Sequence, residues 1–254
     1  STLAFFVAST MIDIYKNPDL YDAIHNKYNW DKHLITSTAT ETGGPVLELA
    51  SGTGRLAKLI LNLGFDYTGI DTSAEFLNVA IKKYGNKATF LQKDMRQFEF
   101  GKQFKFIFIG FNSFLHNLKD KDASNCLRSV YRHLSNDGTF LVSIFIPDPS
   151  FLYREKGKLY PATSPFDYKG SRCRIMESNI FDEKKQINQL FWQLERDGTL
   201  KEEKYEYKMR MFYPHNMDIL LSDAGLRITK KMGDYDGTIM DEESGMQIYV
   251  CEKS

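Results

Sequence analysis

Short apolar runs alternate with amphipathic stretches along the first half of this chain. Runs of strand length fall at 45–50, 67–71, 88–92, 105–111 and 139–145. Segments with a helical period lie between them at 54–63, 74–84 and 120–134. Gly64 and Gly85 stand where a helix needs a left-handed residue to end. Strand and helix in alternation predict a parallel sheet with right-handed crossovers. Ahead of this region, Asn17-Pro18 reads as a helix cap followed by proline in the first turn, and it opens a helix over 18–36. Gly43-Gly44-Pro45 breaks the chain before the first strand.

Beyond Ile146 the period changes. Pro147-Asp148-Pro149 ends the fifth strand, and 172–212 reads as three strands turning at Asp182-Glu183-Lys184 and Asp197-Gly198. The last of these puts Tyr205, Tyr207, Met209 and Met211 on one face and Glu206, Lys208 and Arg210 on the other. That alternation predicts antiparallel hairpins with one wet face. A helix from Pro214 to Gly225 and strands at 226–232 and 246–251 resume the first pattern. The loop joining the last two strands has no room for a crossover helix, so they pair antiparallel. The expected fold is α/β: a Rossmann-like, doubly wound seven-stranded sheet with an antiparallel last strand, plus a small antiparallel β insertion. The expected organisation is an N-terminal helical cap (1–44), a cofactor-binding domain (45–149 and 214–254) and a β-rich insertion acting as a substrate lid (150–213).

Composition narrows the function. Lysine plus arginine and aspartate plus glutamate balance at 33 each in 254 residues, so no net basic field gathers a polyanion and nucleic acid is not the expected partner. Cys126, Cys173 and Cys251 are scattered, with no C-x-x-C pair. They read as reduced thiols of a cytoplasmic protein, not as a disulfide framework or a zinc site. No apolar stretch approaches the ~18 residues of a membrane span, and the apolar segment 3–8 lacks the basic region of a signal peptide. His25 and His33 are eight apart and suggest no metal pair, and no metal is expected.

The chemistry starts in Val46-Leu47-Glu48-Leu49-Ala50-Ser51-Gly52-Thr53-Gly54-Arg55-Leu56-Ala57. An apolar strand runs through two glycines into a helix, and Gly52-x-Gly54-x-x-Ala57 satisfies the dinucleotide pattern. Asp71, at the tip of the second strand, can accept from both hydroxyls of a ribose. The loop alone does not separate NAD from S-adenosylmethionine (SAM). Three details favour SAM. Glu48 is an acid inside the first strand, where NAD folds have no defined need for one. Asp94-Met95 follows the third strand, where a carboxylate can accept from the adenine amine. The antiparallel final pair closes the sheet differently from a dinucleotide fold.

On these residues the chain resembles the class I SAM-dependent methyltransferases, and among them the bacterial branch that modifies small molecules, such as glycine and sugar-amine N-methyltransferases. Glu48 to Gly54 is similar to the first family motif, with Ala50 in place of the commonest first glycine and Ser51 in place of a frequent cysteine. Tyr67 to Ser73 resembles the ribose motif, Phe90 to Met95 the adenine motif, and Lys105 to His116 the fourth strand with its loop. Leu134 to Thr139 resembles the Leu-x-x-x-Gly-Gly turn, with Thr139 replacing the second glycine. The resemblance implies SAM as cofactor, S-adenosylhomocysteine (SAH) as product, and a methyl acceptor of small size. It implies a cofactor site of Glu48, Ala50, Ser51, Gly52, Gly54, Arg55, Asp71, Thr72, Asp94, Met95 and Asn112.

Methyl transfer from a sulfonium is an in-line displacement that asks mainly for alignment and exclusion of water. Residues just after strands four and five should face the methyl, among them Asn112, Ser113, Phe114, His116 and Asp148. His116 is the first choice for a base or substrate-orienting group; the competing reading is a histidine that packs in its loop. Asp148 is equally a turn residue. Tyr21 is the second candidate, because in similar enzymes the leading helix folds over the cofactor and a tyrosine touches its methionine end. Tyr28 and Trp30 read either as part of that aromatic face or as docking residues. Arg55 reads as a partner for the SAM carboxylate or as solvated. Arg172, Arg174 and Arg210 read as an anion site or as strand surface. Tyr213 and His215 are weaker candidates. N-methylation is favoured over O-methylation, and the chain is expected to be a monomer or homodimer. The alternatives are an NAD-dependent oxidoreductase, an RNA or protein methyltransferase, and a non-catalytic SAM-binding protein. No hydride-transfer constellation is visible, and Gly110-Phe111-Asn112-Ser113 lacks the prolines of nucleic-acid adenine enzymes.

Overall fold

Residues 11–254 are described here in a computed structural model. The apolar segment 3–8 lies outside them. Two sheets divide the chain. The larger is built from β2 (Val46–Leu49), β3 (Tyr67–Asp71), β4 (Thr89–Gln92), β5 (Phe104–Ile109), β6 (Leu134–Phe145), β12 (Leu226–Met232) and β13 (Met246–Lys253), in the order β12-β13-β6-β5-β2-β3-β4. The five strands from β4 to β6 run parallel, and β13 lies antiparallel between β6 and β12. The strand order reverses beside β2, which has β3 on one side and β5 on the other. A crevice at the carboxyl ends of such strands is where sheets of this kind hold ligands.

Helices α3 (Ala57–Asn62), α4 (Ala74–Tyr84), α5 (Asp120–His133) and α7 (Pro214–Asp223) cover this sheet. The core has one cluster on each side of it. Leu47, Leu49, Ile107 and Phe140 belong to one; Val46, Phe106, Phe108 and Leu141 belong to the other. Alternate residues of β2 and β5 thus enter opposite layers, which is why these strands read as continuous apolar runs.

The smaller sheet is a meander of β9 (Ser171–Asp182), β10 (Ile187–Arg196) and β11 (Thr199–Arg210), with β7 (Tyr160–Pro161) and β8 (Phe166–Tyr168) on β9. Its other edge is closed by β1 (Met11–Asp13), which pairs parallel with β11 through Met11–Lys204, Ile12–Tyr205 and Asp13–Glu206. The leading segment is therefore more than a helical cap, because it supplies a strand to the second sheet. A core of its own, including Ile14, Leu20, Ile24, Trp192 and Tyr205, binds the leading helix to that sheet.

Four element boundaries differ from the periodicity. The helix expected over 18–36 is two helices, α1 (Pro18–His25) and α2 (Lys32–Thr42), because Arg55 takes the carbonyl of Tyr28 and the carboxylate of Asp31 between them. The helix expected from 54 starts at Ala57, since Gly52 and Gly54 hold left-handed backbone at φ 58° and 76°. The strand expected to reach 111 stops at Ile109, because Phe111 and Asn112 are also left-handed. Strand β6 starts five residues early, emerging directly from α5. Short helix α6 (Pro149–Leu152) follows it, capped by the Asp148 side chain on the Ser150 amide. Asp148 is thus the turn residue of the two readings.

Candidate cofactor and acceptor site

The turn after β2 carries the centre of the site. Its backbone enters through Ala50 at φ 57°, a left-handed conformation that costs a residue with a Cβ about 1 kcal/mol or more. The Asp71 carboxylate ties this turn to β3. One oxygen accepts from the Gly52 amide and the other from the Ser73 amide, each at 2.9 Å. An ionised carboxylate has about four acceptor positions, so these two bonds leave capacity for a ligand in the cavity that Asp71 lines. Ser73 in turn caps α4 by accepting from the Phe76 amide. Gly54 does a different job. Its carbonyl accepts from the Tyr84 hydroxyl at 2.7 Å, and a Cβ there would lie 2.9 Å from the Tyr84 ring and 3.0 Å from Phe90. It packs the turn onto α4 and lines none of the three hollows of the site.

The first hollow, a cavity of about 290 Å³, opens beside this turn. Its walls include Tyr21, Ala50, Gly52, Asp71, Thr72, Asp94, Met95 and His116, all expected from the sequence. Tyr15, Phe76, Lys93, Arg96, Phe111 and Ser113 complete them. Asp94 is at the rim, where its carboxylate is gripped by the Arg96 guanidinium, and those hydrogen bonds hold the carboxyl below its ordinary range. Any adenine amine there shares this carboxylate with Arg96.

A small hollow of about 50 Å³ behind the turn is lined by Glu48, Ser51 and Arg55, again with Tyr21 and Gly52. Glu48 is 5% exposed and accepts from the Tyr67 hydroxyl at 2.5 Å. Burial pushes its carboxyl up to about 8, although the Tyr67 hydrogen bond and Arg55 both oppose that rise. Arg55 is neither solvated nor free for a ligand carboxylate. It forms a two-pronged ion pair with buried Asp31, and it donates to the Tyr28 carbonyl at 3.2 Å. Its guanidinium also lies 5.6 Å from the Phe111 ring centre.

Past Tyr15, Tyr21, Phe111 and His116 lies a third chamber of about 180 Å³, between α1 and the smaller sheet. Ile24, His25, Tyr28, Asn112, Ala162, Thr163, Trp192, Tyr207 and Met209 form the rest of its lining. No lysine, arginine or carboxylate is among them. His25 donates from Nδ1 to the Tyr21 carbonyl, and burial pushes its pKa down to about 4. His116 donates from Nδ1 to the Lys208 carbonyl at 3.2 Å, which leaves Nε2 to accept from the Tyr15 hydroxyl at 2.8 Å. Burial lowers the pKa of His116 and raises those of Tyr15, Tyr21 and Tyr207. At neutral pH the chamber holds no formal charge.

Some sequence candidates lie elsewhere. Asn112 lines the chamber, yet its side-chain oxygen accepts from the Phe145 amide and bolts the β5 loop to β6. Phe114 is fully buried against Phe212. Arg172, Arg174 and Arg210 pair with Asp167, Glu195 and Asp120, so none is an open anion site. Tyr205 is core, with its hydroxyl accepting from Asn17, whereas Tyr207 and Met209 of the same face reach the chamber. Tyr213 and His215 start α7 and line none of these hollows. Tyr15 is among the lining residues the sequence reading missed. It sits two positions before the Asn17 cap, and only the pairing of β1 with the distant β11 brings it over the crevice. Among the described residues no group of three or more His, Cys, Asp or Glu side chains is placed to hold a metal, and no helix is long and apolar enough to cross a membrane.

Residues 46–138 match the family model described as a methyltransferase domain. The YqeM protein of Bacillus subtilis (strain 168) is 27% identical over 250 residues, covering 92% of this chain and 95% of that one. A glycine/sarcosine N-methyltransferase of Halorhodospira halochloris is 26% identical over 217 residues, covering 82% and 75%. Among solved structures, SAM-bound CalS10, an amino pentose methyltransferase from Micromonospora echinaspora, superposes with a TM-score of 0.69 at 14% identity over 96% of this chain and 98% of that one.

Proposed function

Given that this chain is a class I SAM-dependent methyltransferase, we propose that its acceptor is a small-molecule amine held in the aromatic chamber. The observation that carries this reading is the uncharged lining of that chamber, continuous with the cofactor cavity through Tyr15, Tyr21, Phe111 and His116. Two similar proteins support an amine: the glycine/sarcosine N-methyltransferase and the amino pentose methyltransferase.

SAM, when bound, supplies a methyl group on a positively charged sulfonium with a good leaving group. In this reading Asp71 uses its remaining acceptor capacity for the ribose hydroxyls, Thr72, Asp94 and Met95 flank the adenine, and Glu48 faces the methionine ammonium. The chamber then prepares the acceptor. An amine that leaves water for an uncharged pocket is favoured in its neutral form, which is the form with a lone pair to give. Aromatic faces stabilise the ammonium that methylation creates. His116 acts through Tyr15. With its Nε2 already accepting, it fixes the Tyr15 hydroxyl, whose oxygen keeps a lone pair for an N–H of the acceptor. Tyr15 is therefore the group that orients the amine, and His116 is a positioning residue.

Methyl release from SAM, assayed with matched primary amines and alcohols, tests the proposal. Amines should turn over and their alcohol counterparts should not; turnover confined to alcohols overturns it. Tyr15→Phe should lower kcat by roughly 10- to 100-fold, the cost of a misdirected nucleophile, and leave SAH affinity near the native value. Because burial holds His116 below the ordinary histidine value, the pH–rate profile should show no rising limb near pH 6.5, and His116→Gln should not move its acid side. A limb at about 6.5 that vanishes in this variant would make His116 the base instead.

Glu48 gives a separate readout. At pH 7 its carboxyl is mostly protonated in the free protein, since burial raises it to about 8. A ligand cation beside it favours the ionised form, so binding must expel the proton. Calorimetric titration of SAH at pH 7 in buffers of contrasting ionisation heat should register release of up to about one proton. Glu48→Gln should register none, and equal release by both proteins places the proton elsewhere.

A further inference from the structure

Trp30 is 48% exposed, whereas the only other tryptophan, Trp192, is 8% exposed and lies in the chamber wall. A single exposed tryptophan needs no explanation by itself. Three observations set this one apart. Its ring lies 4.3 Å from that of Tyr28 at 32°, and 6.5 Å from that of Phe111 at 27°. Tyr28 and Phe111 are chamber-lining residues, so the aromatic wall continues out of the chamber onto the surface. The loop that presents Trp30 is also pinned on both sides, by Arg55 on the Tyr28 carbonyl and on the Asp31 carboxylate. An exposed apolar ring on a loop tied down at both flanks is a preorganised surface, and preorganisation is what an exposed contact needs to contribute affinity.

The chamber holds about 180 Å³, below the roughly 300–1,000 Å³ of pockets that enclose a drug-sized ligand. Together with the proposed amine acceptor, on which this inference rests, that volume admits an amine and little more. We infer that Trp30 forms an outer acceptor subsite, a platform on which the ring of a ring-bearing amine stacks while its nitrogen enters the chamber. The ring is uncharged or cationic: the Arg55 guanidinium, which lies over Phe111, is engaged by Asp31 and offers nothing to an anion. Tyr28 lines the chamber, and its hydroxyl, which has no hydrogen-bond partner among the described residues, is available to a ring hydroxyl.

The test uses methyl 3-amino-3-deoxyglucopyranoside as the ring amine and propylamine as the ringless control, titrated against the full chain saturated with SAH. Trp30→Ala should weaken the ring amine about tenfold, or about 1.4 kcal/mol. Propylamine and SAH affinities should stay unchanged, and Trp30→Phe should restore most of the loss. In turnover the same variant should raise KM for the ring amine and spare kcat. Equal binding of the ring amine by native protein and Trp30→Ala, or no binding of it by either, overturns the platform. Trp30-dependent binding without methyl transfer upholds the platform and removes the proposed amine reaction, so the two readings fail separately.

Discussion

Asp71→Ala should weaken SAH binding by about 100-fold. Hydrogen bonds to a charged group contribute about 1.5–3 kcal/mol each, and two ribose hydroxyls on one carboxylate make ~3 kcal/mol a conservative loss. The structure adds a second reason. The same carboxylate holds the Gly52 amide in the turn and the Ser73 amide at the start of α4, so its removal loosens the cradle as well as the contact. Asp71→Asn should fall between the two. One amide oxygen can still accept, but its NH₂ would face a backbone amide that is itself a donor. Calorimetry with SAH measures both variants, and circular dichroism checks that they fold. Native affinity in Asp71→Ala would remove this residue from the cofactor site.

The largest effect on stability is expected at Asp31 and Arg55. Their side chains are 2% and 17% exposed, and each is the other's charge partner. Removing one partner of a buried pair strands the other, at a cost of about 3–5 kcal/mol. For a chain of this size that lowers Tm by on the order of 10 °C. Asp31→Ala and Arg55→Ala should each show it in thermal and denaturant melts. The double change Asp31→Leu with Arg55→Met replaces the pair by apolar groups of similar bulk, and it should be less destabilising than either single change. Additive losses in the double variant would show that the pair is not coupled. Arg55→Ala should in addition free the loop 28–31 and weaken ring-bearing acceptors more than ringless ones, because the same guanidinium holds the Trp30 loop.

What could be read from the sequence follows the range of the forces involved. The large sheet was legible because its inner strands are buried on both faces and read as unbroken apolar runs, as in Phe104 to Ile109. The glycine turn was legible because left-handed backbone selects residue type locally at Gly52. Asp71, Asp94 and Met95 were legible because each stands at or within three residues of a strand's carboxyl end. The break in the leading helix was not, since Arg55 imposes it from about one supersecondary unit away. Gly54 carries the same local signature as Gly52, yet its hydrogen lies against Tyr84 and Phe90, a contact that no spacing discloses. The chamber is assembled from the leading segment, the β5 loop and the insertion, so Tyr15, Phe111 and Trp192 meet only in three dimensions. Alternation along β11 put Tyr205, Tyr207 and Met209 on one face. It could not say that the first closes a core while the others look into a cavity.

The pairing of Met11–Asp13 with Lys204–Glu206 has a consequence for how the chain is made. The segment that opens the smaller sheet is made nearly two hundred residues before the strand it pairs with. Until β11 exists, β1 has no edge to join, and Tyr15 has neither the strand beside it nor the Lys208 carbonyl that orients His116. Contacts this distant in sequence are slow to close. The crevice of the large sheet can therefore take shape while its cover is still untethered, and the nascent chain must carry an unpaired leading strand past nearly two hundred residues of synthesis.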